Sequence, residues 1–149
     1  MADTPPDDSG FSFYLREDGI WVYEARNVVR ATVDAWYETS HQHDHEYAAT
    51  AQTLLRLIII HPGFLPTPYA FGRIREAAEQ TPLNLREANA LIMPATIGYQ
   101  ITNIFMNRLP FDRGRAVIKV FRDSQEGVLW LLRQKQRWEE ELGAPPPED

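Results

Sequence analysis

The chain has 149 residues, enough for one domain with a sizeable core, and its 44% hydrophobic and 24% charged residues are those of an ordinary globular chain. A net charge of −6 and a pI near 5.2 argue against a binder of bare nucleic-acid backbone, which needs clustered Lys and Arg. The chain has no cysteine, which excludes disulfides, thiolate metal sites and cysteine nucleophiles together and suits a reducing compartment.

The opening MADTPPDDSG is acidic and lacks the basic start and apolar core of a secretory signal, so residues 1–10 are expected to form a disordered tail. FSFYLREDGIWVYEA then alternates. Phe11, Phe13 and Leu15 share one face, Trp21, Tyr23 and Ala25 share another, and Asp18-Gly19 between them supplies the positive φ of a hairpin turn. In NVVRATVDAWYETS, Val29, Thr32, Val33 and Trp36 fall at helical spacing behind Asn27 as N-cap. HQHDHEYAATAQ reads as a polar connector. LLRLIIIH lacks alternation, the mark of a strand buried on both faces, and its apolar run is far too short to span a bilayer.

Thr67-Pro68 is a helix start: a hydroxyl to accept a free amide, then a residue with no amide to satisfy. Ala70, Phe71, Ile74, Ala77 and Ala78 form its apolar stripe, and Pro82 stops it. NALIMP is a further buried strand. Thr96 caps a helix in which Ile97, Ile101, Ile104 and Phe105 face one way, and RAVIKVF is a strand. Asp123 and Glu126 are spaced as a capping box for a last helix whose stripe runs through Leu131, Trp138 and Leu142. The closing GAPPPED, residues 143–149, is expected to be a second disordered tail.

The order is β-β-α-β-α-β-α-β-α, which predicts a single α/β domain over residues 11–142. Its sheet is mixed but mostly parallel, with right-handed crossovers and an N-terminal antiparallel hairpin. On LPTPYAFGRIREAAEQTP, NALIMPATIGYQITNIF and VIKVFRDSQEGVLWLL, from about Phe11 to Leu132, the chain resembles the STAS superfamily of sulfate-transporter and anti-sigma-factor-antagonist domains, and more closely its stand-alone bacterial members. The resemblance implies a STAS-like fold that works by docking to partners; a cytoplasmic location is the expectation from the missing secretory signal and bilayer-length run. The resemblance also implies a phosphorylated serine at the helix start after the third strand. Here the Asp-Ser-Ser-Gly pattern is absent, and Thr67 is the hydroxyl near that place.

Parallel strands bring the loops at their C-terminal ends to one edge. That edge gathers His61, Thr67, Tyr69, Thr96, Asp123 and Ser124 as a binding or regulatory rim, unless the hydroxyls and Asp123 only cap their own helices. His41, His43 and His45 alternate in SHQHDHE. In an extended segment their rings would share one side and could hold zinc, nickel or copper, so a metal-dependent enzyme is one alternative. A small apolar ligand under residues 61–71, against Phe64, Leu65 and Tyr69, is another. No cofactor motif is present: the junctions match neither a P-loop nor a dinucleotide fingerprint. Trp21, Tyr23, Tyr99, Met106 and Trp130 fall off the core stripes and are the expected interface of a homo-oligomer. The leading expectation is a non-enzymatic interaction module that binds a protein partner or itself, with no nucleic acid and no membrane.

Overall fold

A computed structural model describes residues 9–61, 67–93, 97–109 and 116–143. The expected tails therefore fall largely outside the described residues. The elements are β1 (Phe11–Leu15), β2 (Ile20–Ala25), α1 (Arg30–Ala49), β3 (Leu54–Ile60), α2 (Pro68–Glu79), β4 (Glu87–Ile92), α3 (Ile97–Met106), β5 (Ala116–Phe121) and α4 (Ser124–Gly143). They form one five-stranded sheet in the order β1-β2-β3-β4-β5, with β1 antiparallel to β2 and the other pairs parallel. This is the α/β architecture expected from the element order.

Local chemistry accounts for the junctions. Gly19 closes the hairpin at φ +86°, where a side chain would be strained, and Arg16 and Ile20 pair across the turn. Thr67 Oγ1 accepts from the Ala70 amide at 3.1 Å, capping α2 with Pro68 at its first position. At the C-terminus of α1, Ala51 takes φ +56° while its amide and that of Gln52 reach back to the carbonyls of Ala48 and Tyr47. This is a Schellman ending built on alanine rather than glycine.

Because β2, β3, β4 and β5 lie side by side in chain order, right-handed crossovers put α1, α2 and α3 on one face of the sheet. Side chains alternate between faces along each strand. Tyr23, Ile58, Leu91, Met93 and Val120 pack with Ala35, Ala78 and Met106 from those three helices. On the opposite face Ile20, Val22, Leu55, Leu57, Ala88, Ala90 and Ile92 pack with Leu131 and Trp138 of α4.

Two expectations are corrected here. The helix after the hairpin does not end at Ser40: α1 is 20 residues long and runs from Arg30 through SHQHDHE to Ala49. Its N-cap is Val29, while Asn27 Oδ1 accepts instead from the Val29 amide and the Thr32 hydroxyl. In α3 the expected stripe is split: Phe105 packs against the core, but Ile101 and Ile104 turn outward. Thr102 and Met106 are buried, whereas Ile101 and Ile104 are 48% and 56% exposed. Both stripes have helical period, so periodicity alone does not choose between them.

Candidate functional site

The parallel register places Ala25 opposite Ile60, Ile59 opposite Ile92 and Ile92 opposite Phe121, so four strands end at one rim. The helices that follow those strands start from it. His61 directly follows β3 there, Asp123 lies two residues after β5, and both are exposed. His61 Nε2 lies 3.9 Å from Glu24 Oε2. Thr67 is occupied as the α2 cap, and the Asp123 carbonyl accepts from the Gly127 amide inside the first turn of α4. Tyr69 donates its hydroxyl to Asp34, which Arg73 also approaches at 3.3 Å, and the Arg30 guanidinium lies 4.3 Å from the Tyr69 ring centroid. The Tyr69 and Arg73 bonds hold the Asp34 carboxyl below its ordinary range. Ser124 opens α4. Thr96, Phe64 and Leu65 lie outside the described residues.

The three histidines do not converge. In a helix, residues two apart point in nearly opposite directions, at about 100° per residue. His43 turns inward and is buried, while His41 and His45, one helical turn apart, stand on the exposed side with ring centroids 4.3 Å apart. That leaves two imidazoles outside and one in the core. Among the described residues no three His, Asp or Glu groups are placed to hold a metal ion.

The inward side of α1 exposes what the sequence reading missed, a buried ionic cluster on the α1 face of the sheet. Arg56 is 3% exposed, between Asp44 at 6% and Glu87 at 2%. A guanidinium carries five N–H groups, and five acceptors surround this one. They are Tyr23 Oη at 3.2 Å, Glu87 Oε2 at 2.7 Å, Asn89 Oδ1 at 3.3 Å, the Ser40 carbonyl at 2.9 Å and Asp44 Oδ1 at 2.5 Å. Arg56 donates to the Tyr23 oxygen, which also shares a hydrogen bond with His43 Nδ1 at 2.5 Å. Burial opposes the charge on Arg56, yet Asp44, Tyr23 and Glu87 hold its pKa well above the usual value. Burial pushes Glu87 up to about 8 against the pull of Arg56, with the Asp44 charge adding to the rise. One guanidinium is shared by two carboxylates, and a proton retained on Glu87 makes the trio neutral. The signal for this cluster was Arg56 inside LLRLIII: a charge in a doubly buried strand requires a buried partner.

Between α1, α2, α3 and the C-terminal half of the sheet lies an apolar cavity of about 90 Å³, with walls that include Val33, Trp36, Ile58, Ile60, Ile74 and Met106. The Thr102 hydroxyl, on a fully buried side chain in the same wall, has no hydrogen-bond partner among the described residues. A second space of about 40 Å³ lies toward Arg56 and Glu87 and shares Trp36, Ile58, Ile74 and Ile118 with the first.

The expected interface residues are largely inside. Tyr23 and Met106 are buried. Trp21 is part-buried, stacks on His43 at 4.1 Å and donates its indole N–H to Tyr47 Oη at 2.8 Å. Trp130 packs against Phe121 at 5.5 Å. Tyr99 is half-buried under the Arg122 guanidinium, 5.2 Å from its ring centroid. What lies outside is the other stripe of α3. This helix has no charged residue of its own, and Ile101 and Ile104 face outward on it. Arg75, 6.0 Å from the Phe105 ring centroid, and Arg122 flank it, and exposed Arg108 follows its end.

Among the described residues no helix is long and apolar enough to cross a membrane. Comparison with protein-family models, with curated proteins and with solved structures returned no match.

Proposed function

We propose that this chain is a non-catalytic, cytoplasmic interaction module of the STAS type, and that its α3 edge receives an acidic amphipathic segment of a protein partner. The observation that carries the reading is an uncharged apolar strip, Ile101 and Ile104, bordered by Arg75, Arg108 and Arg122 on a chain of net charge −6. Covering two half-exposed isoleucines contributes only about 1 kcal/mol each. The arginines therefore select the partner and speed its encounter more than they add affinity. In an isologous pair of copies the same patch faces itself, which would set like charges against one another. A different, acidic partner suits this edge better than a second copy. The sequential order of parallel strands behind an antiparallel edge supports the STAS reading. So does the condition of the ionisable groups best placed for chemistry, since Tyr23, His43, Asp44, Arg56 and Glu87 are bonded to one another and shielded from solvent.

A photo-crosslinking amino acid in place of Ile104, in the full chain within its native cells, tests this. Mass spectrometry is expected to return crosslinked peptides in which Asp or Glu flanks apolar residues, and the combined Arg75→Glu and Arg122→Glu change is expected to abolish them. Crosslinks to a second copy, crosslinks that survive charge reversal, or none at all would overturn the proposal.

A further inference from the structure

The inner side of α3 carries a separate inference. We propose that the cavity beneath the rim is a binding site for a small, uncharged, mostly apolar molecule with one hydroxyl-type group, which pairs with the Thr102 hydroxyl. Three observations converge. The space is about 90 Å³, several times what one water occupies by the same measure, so a ring or short branched chain fits. Its walls offer aliphatic and aromatic carbon from Val33, Trp36, Ile58, Ile60, Ile74 and Met106, and the polar side chains Asn27 and Thr32 that also line it are already bonded to each other and to backbone amides, which leaves water few of the two to four partners it needs. The Thr102 oxygen is fully buried and unpaired, although a buried hydroxyl without a partner is costly and a helical threonine has neighbouring carbonyls within reach. A ligand bearing a single donor or acceptor satisfies that atom while the carbon walls hold the rest.

Charge sets the limits on the ligand. Among the described residues no charged side chain belongs to the wall of this cavity, so a carboxylate or ammonium group would enter without a partner there. The ionic groups Arg56, Asp44 and Glu87 border the smaller space and are already engaged with one another. The inference does not depend on the proposed partner site. Ile101 and Ile104 face outward from α3, whereas Thr102 and Met106 face the sheet, so one site can fail without the other.

The test is an NMR titration of the full chain with phenol, and in parallel with toluene, which has the ring without the hydroxyl. Phenol is expected to give saturable amide shifts at Ile58, Ile74 and Thr102 with a Kd below about 1 mM, well inside the efficiency ceiling for a ligand of about seven heavy atoms. Thr102→Val should weaken phenol about five- to tenfold, the loss of one hydrogen bond, and leave toluene within about twofold. Ala70→Leu, which puts carbon into the cavity, should block both. No saturable shift in the wild-type chain, or an equal effect of Thr102→Val on both probes, overturns the inference. Should Ala70→Leu fail to fold, the wild-type and Thr102→Val titrations decide the question alone.

Discussion

The two faces of the sheet are built on opposite terms. The α4 face is closed by one helix through aliphatic and aromatic side chains, and the helix comes so close that a Cβ on Gly127 would stand 2.8 Å from Ile92 Cδ1 and 3.0 Å from Leu57 Cδ1. The opposite face has three helices over it, yet among the described residues it holds a buried arginine with two carboxylates, the cavities described above and the unpaired hydroxyls of Ser40 and Thr102. Apolar contact fills one face tightly, whereas the other keeps groups that stabilise only while every partner is in place. The first face is where this fold holds itself together, and the second is where it has room to take something up.

The sharpest way to break the contrast is at Arg56. Arg56→Ala leaves Asp44 and Glu87 buried beside each other without their cation. Removing one member of a buried ion pair costs about 3–5 kcal/mol. Chemical denaturation at pH 7 is expected to show a loss of that size. A loss under about 1 kcal/mol would mean that water reaches the cluster.

The same cluster makes stability depend on pH. Glu87 holds its proton up to about pH 8 in the folded chain, against an ordinary value of 4.5 when unfolded. Between those values the folded state binds more protons than the unfolded state, so this contribution is complete below about pH 4.5 and is lost as pH rises through 8. The slope approaches about 1.4 kcal/mol per pH unit inside the window. Denaturation curves from pH 4.5 to 8 should show the decline, and Glu87→Gln, neutral at every pH, should flatten it. An unchanged slope in Glu87→Gln would assign the titration to another group.

What was legible in the sequence acts locally. Asp18-Gly19, Thr67-Pro68 and the strand-helix alternation each act through neighbours a few residues away, and from them the order and class of the fold follow. The polar run SHQHDHE has no local reason to be helical. Its inward residues, Ser40, His43 and Asp44, are held by Arg56 and Tyr23, 12 to 20 residues off. Long-range pairing therefore overrode a local pattern that reads as solvated loop. Arg56 in an apolar strand, with Glu87 and Asn89 alternating against Ala88 and Ala90, was the available sign. For α3 the two apolar stripes were both visible, but which one the sheet would take depends on tertiary packing.

Two helical glycines measure the packing difference at its finest. An exposed or well-accommodated Gly→Ala change in a helix gains about 0.5–1 kcal/mol by restricting the unfolded chain. At Gly127 the added carbon meets Ile92, Leu57 and the Cβ of Ala90, which lies 3.3 Å away and has no torsion to move it aside. Overpacking of this kind costs about 1–3 kcal/mol, so Gly127→Ala should lose about 1–2 kcal/mol net. Gly72 of α2 has nothing within 4 Å of where a Cβ would sit, so Gly72→Ala should keep the full gain and raise the thermal midpoint. The opposite signs are the measurement. If both variants gained stability, α4 would have slack against the sheet and the contrast between the faces would be one of polarity alone.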